Sequence, residues 1–347
     1  MRVGIYTHYA RCDQTYFSLR LADFLSANNV EFSIYSDSPP AKLRVAYDNV
    51  VKHKKKIKYT DWAKDCSAII WTHVPKIEQI NCAKRRGSTT ILVPMWQDLV
   101  PPFKKVIRQA DHLVAMSAEC RELFQSIYKF KHTTFIPYDA GFPAIKKDGE
   151  FTGRKIRLLL PWFDRNARCT QPEFLQQLQE ILLRMPEAQL TVVIASSQFA
   201  PAIAKFFQAL GRRTNGRVKL LRNVDVNARP ALFTSHDLTI FPAECDNFGY
   251  TNILSINCGT PVLTFAVSPQ IDLIAPKMNG VLVRTKIDYD ENGVPHAAPN
   301  YAHYAEALQA LIAEPKYINA MNKNITHNFA ARRRAFEFGW QSLLRIV

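Results

Sequence analysis

The sequence predicts an α/β protein made of two Rossmann-like domains, each built on a parallel sheet. At 347 residues the chain exceeds the roughly 250–300 residues at which a single core usually stops growing. Short apolar runs alternate with helical patterns, which is the mark of βα units. The alternation breaks near residue 140 and then restarts. We therefore expect domains at 1–140 and 141–328, and a C-terminal helix at 329–347 that packs back across both lobes.

The first domain begins directly with an apolar strand, and a helix with Phe17, Leu21 and Leu25 at helical spacing follows it. The stretch 137–155 contains prolines, a glycine bend and many polar residues, which is typical of a linker. Strands are expected in this domain at 2–7, 31–35, 68–73, 89–94, 112–116 and 134–137.

The second domain repeats the pattern, and the polar stretch 284–300 within it predicts a surface loop because it holds Gly, Pro and Asn. Ligands of open parallel sheets bind outside the carboxyl ends of the strands, so we expect the site in a cleft between the lobes. Strands are expected at 156–160, 189–195, 218–221, 238–241, 262–265 and 281–283, and helices at 172–185, 302–313 and 317–347.

Composition excludes several classes of protein. Hydrophobic residues make up 47% and charged residues 22% of the chain, as in ordinary globular proteins. No apolar run reaches the roughly 18–20 residues of a membrane span. The seven cysteines form no C-x-x-C pair, so we expect reduced thiols rather than disulfides or a zinc site. The chain starts without an apolar signal region, which favours a cytoplasmic location.

The net charge of +15 favours a polyanionic partner, either nucleic acid or an anionic membrane face. Solvated faces without a partner are the alternative for any one cluster. The basic clusters of the first domain are Lys52, Lys54, Lys55, Lys56 and Lys58, then Lys84, Arg85 and Arg86, then Lys104, Lys105 and Arg108.

The segment 237–264 carries the strongest functional signal. A buried strand ends at Pro242, an acidic turn containing glycine follows at 244–249, and a helix begins near Thr251-Asn252. A strand, turn and helix in this order present backbone N–H groups and the positive end of a helix. That arrangement suits a diphosphate.

This segment resembles the C-terminal lobe of the large retaining GT-B glycosyltransferases of group 1, often numbered family four. Weaker matches, such as Ala110-Asp111 and Asn279-Gly280, extend the resemblance from about residue 90 to the end. The resemblance implies two domains facing across a cleft and sugar transfer from a nucleotide-diphosphate sugar, with UDP as the nucleotide. It also implies retention of anomeric configuration, and no metal or cofactor besides this co-substrate. The main matches are His236-Asp237, Pro242, Phe248-Gly249-Tyr250 and Asn257-Cys258-Gly259-Thr260-Pro261-Val262.

The chain departs from the family at its two glutamates, which are spaced E-x7-E. Asp246 and Leu254 stand at those positions, while Glu244 and Asn252 have the same spacing two residues earlier. The glycine pair after the first strand is also missing. In the family, the second glutamate usually binds the donor ribose. Because Leu254 stands at that position, the resemblance assigns this contact to no residue of the chain.

The resemblance assigns roles to several residues. Arg165 and Arg168 would contact the phosphates, and Glu244 and Asp246 would bind hydroxyls of the donor sugar. Asp98 would act as general base on the acceptor, and His73 is a second candidate on the acceptor side. The alternatives are exposed loop arginines, carboxylates that complement a helix dipole, a loop aspartate and a hydrogen-bonded core histidine. The backbone cradle for the diphosphate would be Asn247, Phe248, Gly249, Tyr250, Thr251 and Asn252.

Three hypotheses remain for the acceptor. The basic first domain favours a hydroxymethylated pyrimidine in double-stranded DNA, as in phage enzymes that act in the host cytoplasm, with Trp96, Phe103 or Tyr9 stacking on a flipped base. A lipid-linked or surface glycan at the cytoplasmic membrane face is the alternative, and a non-catalytic GT-B binding protein is the third. No obligate protein partner is inferred. The acceptor and DNA candidates are His8, Arg11, Asp13, Lys54, Lys55, Lys56, Lys84, Arg85, Arg86, Trp96, Lys104 and Lys105.

Overall fold

The computed structural model describes residues 1–7, 13–36, 50–51, 57–95, 101–130, 132–139, 155–162, 171–194, 201–222, 224–225, 228–246, 248–325 and 327–346. The chain divides into two compact units. The first contains Met1–Gly141, Glu291–Val294 and Arg332–Val347, and the second contains Phe142–Asp290 and Pro295–Ala331. Within the described residues, no helix is both long enough and apolar enough to cross a bilayer.

The first unit is built on a parallel sheet of seven strands in the order β3-β2-β1-β4-β5-β6-β7. The strands are β1 Arg2–Thr7, β2 Glu31–Ser36, β3 Val50–Val51, β4 Ala68–Trp71, β5 Thr89–Leu92, β6 His112–Ala115 and β7 Thr133–Phe135. The central residues of β1, β2, β4, β5 and β6 are buried, as expected for a sheet covered by helices on both faces. The helices are α1 Asp13–Ala27, α2 Tyr59–Trp62, α3 Ile77–Arg85, α4 Pro101–Ile107 and α5 Ala118–Ser126.

The second unit repeats this plan with six parallel strands in the order β10-β9-β8-β11-β12-β13. They are β8 Ile156–Trp162, β9 Ala188–Ile194, β10 Val218–Arg222, β11 Leu238–Phe241, β12 Val262–Phe265 and β13 Gly280–Val283. The helices that follow are α6 Pro172–Arg184, α7 Pro201–Arg213, α8 Arg229–Thr234, α9 Tyr250–Asn257, α10 Gln270–Leu273, α11 Tyr301–Ala313, α12 Lys316–Asn324 and α13 His327–Arg345.

One prediction about the second half of the chain is wrong. The stretch 284–300 is a β-hairpin, in which β14 Lys286–Tyr289 pairs antiparallel with β15 Pro295–Ala298. The turn of the hairpin contains Gly293, whose φ of 79° glycine accepts readily. The helical pattern expected over 317–347 is present as α12 and α13, and α13 agrees with the C-terminal helix expected at 329–347.

The residues of α13 that belong to the first unit pack on α1. Phe336 lies edge-on to Phe24 at 6.0 Å, and Trp340 lies 6.2 Å from Phe17 between ring centroids. All four side chains are buried. The last helix therefore completes the core of the first unit.

In each sheet an aspartate that directly precedes one strand forms hydrogen bonds to the neighbouring strand. Asp111, before β6, accepts hydrogen bonds from the backbone N of Thr90 at 2.9 Å and its Oγ1 at 2.6 Å. Asp237, before β11, accepts from the backbone N of Arg157 at 2.8 Å and from its Nη2 at 2.7 Å. The hydrogen bond to Asp237 raises the pKa of Arg157. These two motif aspartates therefore join neighbouring strands at their amino ends.

Candidate functional site

The turn between β11 and α9 has a backbone shape that requires glycine. Gly249 precedes α9 with a φ of 75° and a ψ of 31°, and its carbonyl accepts the first helical bond from Ile253 N at 2.9 Å. A Cβ atom here would overlap Leu273 Cδ1 and lie 3.5 Å from Pro269 Cγ. The left-handed φ and the close packing together explain the glycine.

The start of α9 is suited to an anion. Its N-cap, Gly249, has no side chain that could cap it, and no acidic residue lies in its first turn. The N–H groups of a first helical turn lack partners inside the helix and carry partial positive charge. An anion bound at these N–H groups would therefore be stabilised.

Asn252 in the first turn of α9 is fully buried, yet neither atom of its side-chain amide has a hydrogen-bond partner among the described residues. An unpaired buried amide costs about 1–3 kcal/mol. Two further fully buried hydroxyls, those of Thr264 in β12 and Ser268 after it, also lack partners within that part of the chain. Ser268 directly precedes the Pro269 that lies against Gly249. Three buried polar side chains without hydrogen-bond partners among the described residues therefore lie near the carboxyl ends of β11 and β12.

Glu244 is held in place by the hairpin and α11. Its Oε1 accepts a hydrogen bond from the Tyr301 hydroxyl at 2.8 Å, and its carbonyl accepts one from Ala297 N at 2.7 Å. The Tyr301 ring packs between Phe174 and Phe265, at 5.9 and 5.8 Å between centroids. Glu244 Oε2 has no partner among the residues that the structure describes, so it is available to a ligand hydroxyl.

Leu254, which stands where the family has its second glutamate, is fully buried in apolar surroundings. Two residues earlier, Asn252 is a buried polar side chain of α9 whose amide oxygen and nitrogen both lack partners among the described residues. The alternative spacing from Glu244 to Asn252 therefore links two residues that can still form hydrogen bonds to a ligand. Asp246 is half-buried in the same turn.

The structure describes some of the other residues predicted to bind the donor, but not all of them. Phe248, Tyr250 and Thr251 are buried around the start of α9. Asn247, Arg165 and Arg168 lie outside the described residues.

His73 of the first unit is buried just beyond the end of β4, with its ring 4.9 Å from that of Tyr6. Next to it in sequence, Thr72 Oγ1 donates to Thr7 Oγ1 at 3.0 Å and accepts from Ser18 Oγ at 3.1 Å. Hydroxyl groups and an imidazole thus stand at the carboxyl ends of β1 and β4, the edge where ligands of such sheets bind.

The side chains of several other residues predicted to bind the acceptor lie outside the described part of the chain. Asp13 begins α1, and only its backbone is described. The candidates His8, Arg11, Lys54, Lys55, Lys56, Trp96 and Asp98 lie outside the described residues.

The basic cluster of α3 stands at the opposite edge of the same sheet. Lys84 and Arg85 end α3, and Arg86 follows just before β5 begins, so all three lie at the amino ends of the strands. Lys84 Nζ forms an ion pair with Asp111 Oδ1 at 2.7 Å. In α4, Lys104 Nζ lies 5.5 Å from the centre of the Tyr128 ring, and Lys105 is exposed.

Solved structures with this architecture cover the whole chain. Sucrose-phosphate synthase from Thermosynechococcus elongatus matches at a TM-score of 0.69 and 14% identity, covering 99% of this chain and 98% of the other. The fold is GT-B. HepE of Anabaena in complex with UDP-glucose has a TM-score of 0.67 and 13% identity, with 99% of each chain covered. The lipopolysaccharide outer core galactosyltransferase WaaB, in its apo form, has a TM-score of 0.65 and 15% identity over 99% of each chain.

The GT-B fold is accompanied by a match to one protein family. Residues 204–328 match the family described as "Glycosyl transferases group 1". That range contains Glu244, Gly249, Asn252 and Tyr301. No curated protein matches the chain. The similarity to this family thus covers about a third of the chain, almost entirely within the second unit, and the solved structures share the GT-B fold.

Proposed function

We propose that this protein transfers a sugar from a UDP-sugar to a hydroxyl acceptor, with retention of anomeric configuration and without a metal ion. The observation that carries the proposal is the fully buried, unpartnered amide of Asn252 at the uncapped start of α9. A nucleotide diphosphate supplies both an anion for the helix start and polar groups for the amide. Solved neighbours that contain UDP or UDP-glucose support UDP as the nucleotide.

The chemistry follows from the charge that develops on the departing diphosphate. Backbone N–H groups at the start of α9 are fixed in position, so they stabilise that charge without rearranging. Arg165 and Arg168, which the sequence resemblance assigns to the phosphates, would add two positive charges. Glu244 would accept hydrogen bonds from hydroxyls of the transferred sugar through Oε2, because Oε1 is occupied by Tyr301.

A glycan or lipid-linked sugar is the acceptor that the observations favour. Neighbours in the structural comparison include the lipopolysaccharide galactosyltransferase WaaB, which acts on a polysaccharide by its name. A hydroxymethylated pyrimidine in DNA, as in phage enzymes, remains the second candidate because the chain carries a net charge of +15. The Lys84–Arg86 part of that charge stands at the amino ends of the strands, away from the edge where an acceptor is expected.

The test is a transfer assay with matched acceptors. The protein is incubated with UDP-sugars and either a lipid-linked oligosaccharide or DNA that contains hydroxymethylcytosine, and the products are analysed by mass spectrometry. A hexose or pentose added to the glycan supports the proposal. The same addition to nucleosides from digested DNA would replace the glycan acceptor by DNA. No consumption of any UDP-sugar with either acceptor contradicts the proposal.

Two variants connect the assay to the site. Glu244→Gln keeps the size of the side chain and removes its charge, so transfer should fall while UDP still binds. The matched control is Glu306→Gln, which neutralises another glutamate of the same unit, on α11. Equal activity of both variants would remove Glu244 from the mechanism.

A further inference from the structure

A basic groove lies at the amino ends of β6 and β7 in the first unit. It has a volume of about 810 Å³, and its lining includes Arg108 after α4 and Lys129 after α5. His112, the first residue of β6, and His132, which directly precedes the neighbouring β7, have their ring centroids 5.8 Å apart. Four nitrogen-bearing side chains therefore line one depression on the protein surface.

The carboxylate in the groove is already engaged. Asp111 binds Lys84 Nζ through Oδ1 at 2.7 Å and the backbone and hydroxyl of Thr90 through Oδ2. Neither Arg108 nor Lys129 forms an ion pair with an acidic residue anywhere in the described ranges. The positive charge of the groove is thus left without an internal counter-charge.

The two imidazoles add ring nitrogens that can form hydrogen bonds to a ligand. Burial lowers the pKa of His112, His132 lowers it further, and Asp111 opposes this in part, so His112 favours the neutral imidazole until an anion binds. Two adjacent histidines repel each other when both are protonated, and an anion between them relieves that repulsion. Arg108 supplies a planar fork of donors and Lys129 a point charge, which is the donor set that phosphate oxygens accept.

We infer that this groove binds a phosphomonoester, held by Arg108, Lys129, His112 and His132. The ligand is either a small phosphorylated molecule or the headgroup of a lipid that ends in a phosphomonoester. The site belongs to the first unit and stands at the amino edge of its sheet, so it goes beyond the donor and acceptor functions proposed above.

The experiment uses the full-length chain labelled with ¹⁵N, and the imidazole resonances of His112 and His132 report on the site. Inorganic phosphate, glucose 6-phosphate and vesicles that contain phosphatidic acid are titrated separately. We expect the imidazole resonances of both histidines to shift in a saturable way with at least one of these probes. Response to the soluble compounds identifies a small-molecule site, and response to vesicles alone identifies a lipid headgroup.

The double variant Arg108→Gln/Lys129→Gln removes two charges from the groove and should weaken binding by about tenfold or more. The control Lys205→Gln/Arg213→Gln removes two exposed charges from α7 of the other unit and should bind like the native protein. Equal binding by both variants overturns the proposal. So does the absence of any shift, and so does binding of duplex DNA that depends on Arg108 and Lys129 when no phosphomonoester binds.

Discussion

Tyr301 donates its hydroxyl hydrogen bond to Glu244 Oε1 at 2.8 Å, which joins the first residue of α11 to the acidic turn after β11. Both side chains are buried, and 57 residues separate them in the sequence. The bond fixes one carboxylate oxygen, and the other has no partner among the described residues. Glu244 is therefore a positioned group, and its position depends on a hairpin that the family motif does not include.

Removal of the Tyr301 hydroxyl should impair turnover more than folding. In Tyr301→Phe the ring still packs between Phe174 and Phe265, but Glu244 loses a hydrogen bond worth about 1.5–3 kcal/mol to a charged group. We expect kcat to fall by about tenfold with little change in the Kd for UDP. Steady-state kinetics with UDP calorimetry separates the two effects. A purely structural role would instead lower the melting temperature and leave kcat unchanged in the folded fraction.

Asn252→Leu should stabilise the free protein and weaken nucleotide binding. Leucine has the same branched arrangement of heavy atoms as asparagine, and it removes a buried amide without partners that costs about 1–3 kcal/mol. We expect a higher midpoint in urea and about a tenfold weaker Kd for UDP. Urea unfolding and calorimetry measure these quantities. If UDP binds the variant as tightly as the native protein, Asn252 does not contact the nucleotide.

Gly249→Ala should destabilise the second unit and disturb the start of α9. The left-handed φ alone costs a residue with a Cβ about 1–2 kcal/mol, and the new methyl group overlaps Leu273. The double variant Gly249→Ala/Leu273→Ala removes the overlap and keeps the backbone strain. Chemical unfolding of both variants, each with and without UDP, separates the two contributions. A native-like stability of the single variant would contradict the described turn.

The first unit should lose stability in acid through Asp111. Burial alone would raise its pKa, but the hydrogen bonds from Lys84 and Thr90 outweigh burial and hold the pKa below its ordinary value of 3.8. The stabilisation is therefore present above pH 3.8 and is lost as the pH falls through the lower pKa of the folded state. Asp111→Asn should melt earlier than the native protein at neutral pH, and the two should converge in strong acid. A difference in melting temperature between the two proteins that stays the same at every pH would argue against this ion pair.

The sheets follow from periodicity and composition, since buried parallel strands are continuous apolar runs. The strands expected at 238–241 and 262–265 have the same bounds in β11 and β12, and β1 spans 2–7 as expected. The hairpin at 284–300 escapes a periodicity argument because β14 is largely exposed and its four residues are too few for the polar and apolar alternation of Lys286–Tyr289 to stand out. Asn292-Gly293 between two short strands is a hairpin signal that could have identified it.

The site is predictable only where it is local in the sequence. The glycine turn and the start of α9 follow from residues 244–252 alone, and the E-x7-E comparison already indicates the Glu244 and Asn252 spacing. The role of Tyr301 depends on a contact across 57 residues, which no motif encodes. Likewise, Lys84 is one of several surface lysines until Asp111 is placed 2.7 Å from it.

Calorimetric titration of UDP into the native protein and into Asn252→Leu tests the central claim most directly. We expect one UDP per chain in the native protein and about tenfold weaker binding in the variant, because the start of α9 and the Asn252 amide receive the nucleotide diphosphate. Absence of binding to the native protein, with the protein shown to be folded by circular dichroism, would contradict the donor site and the glycosyltransferase mechanism derived from it.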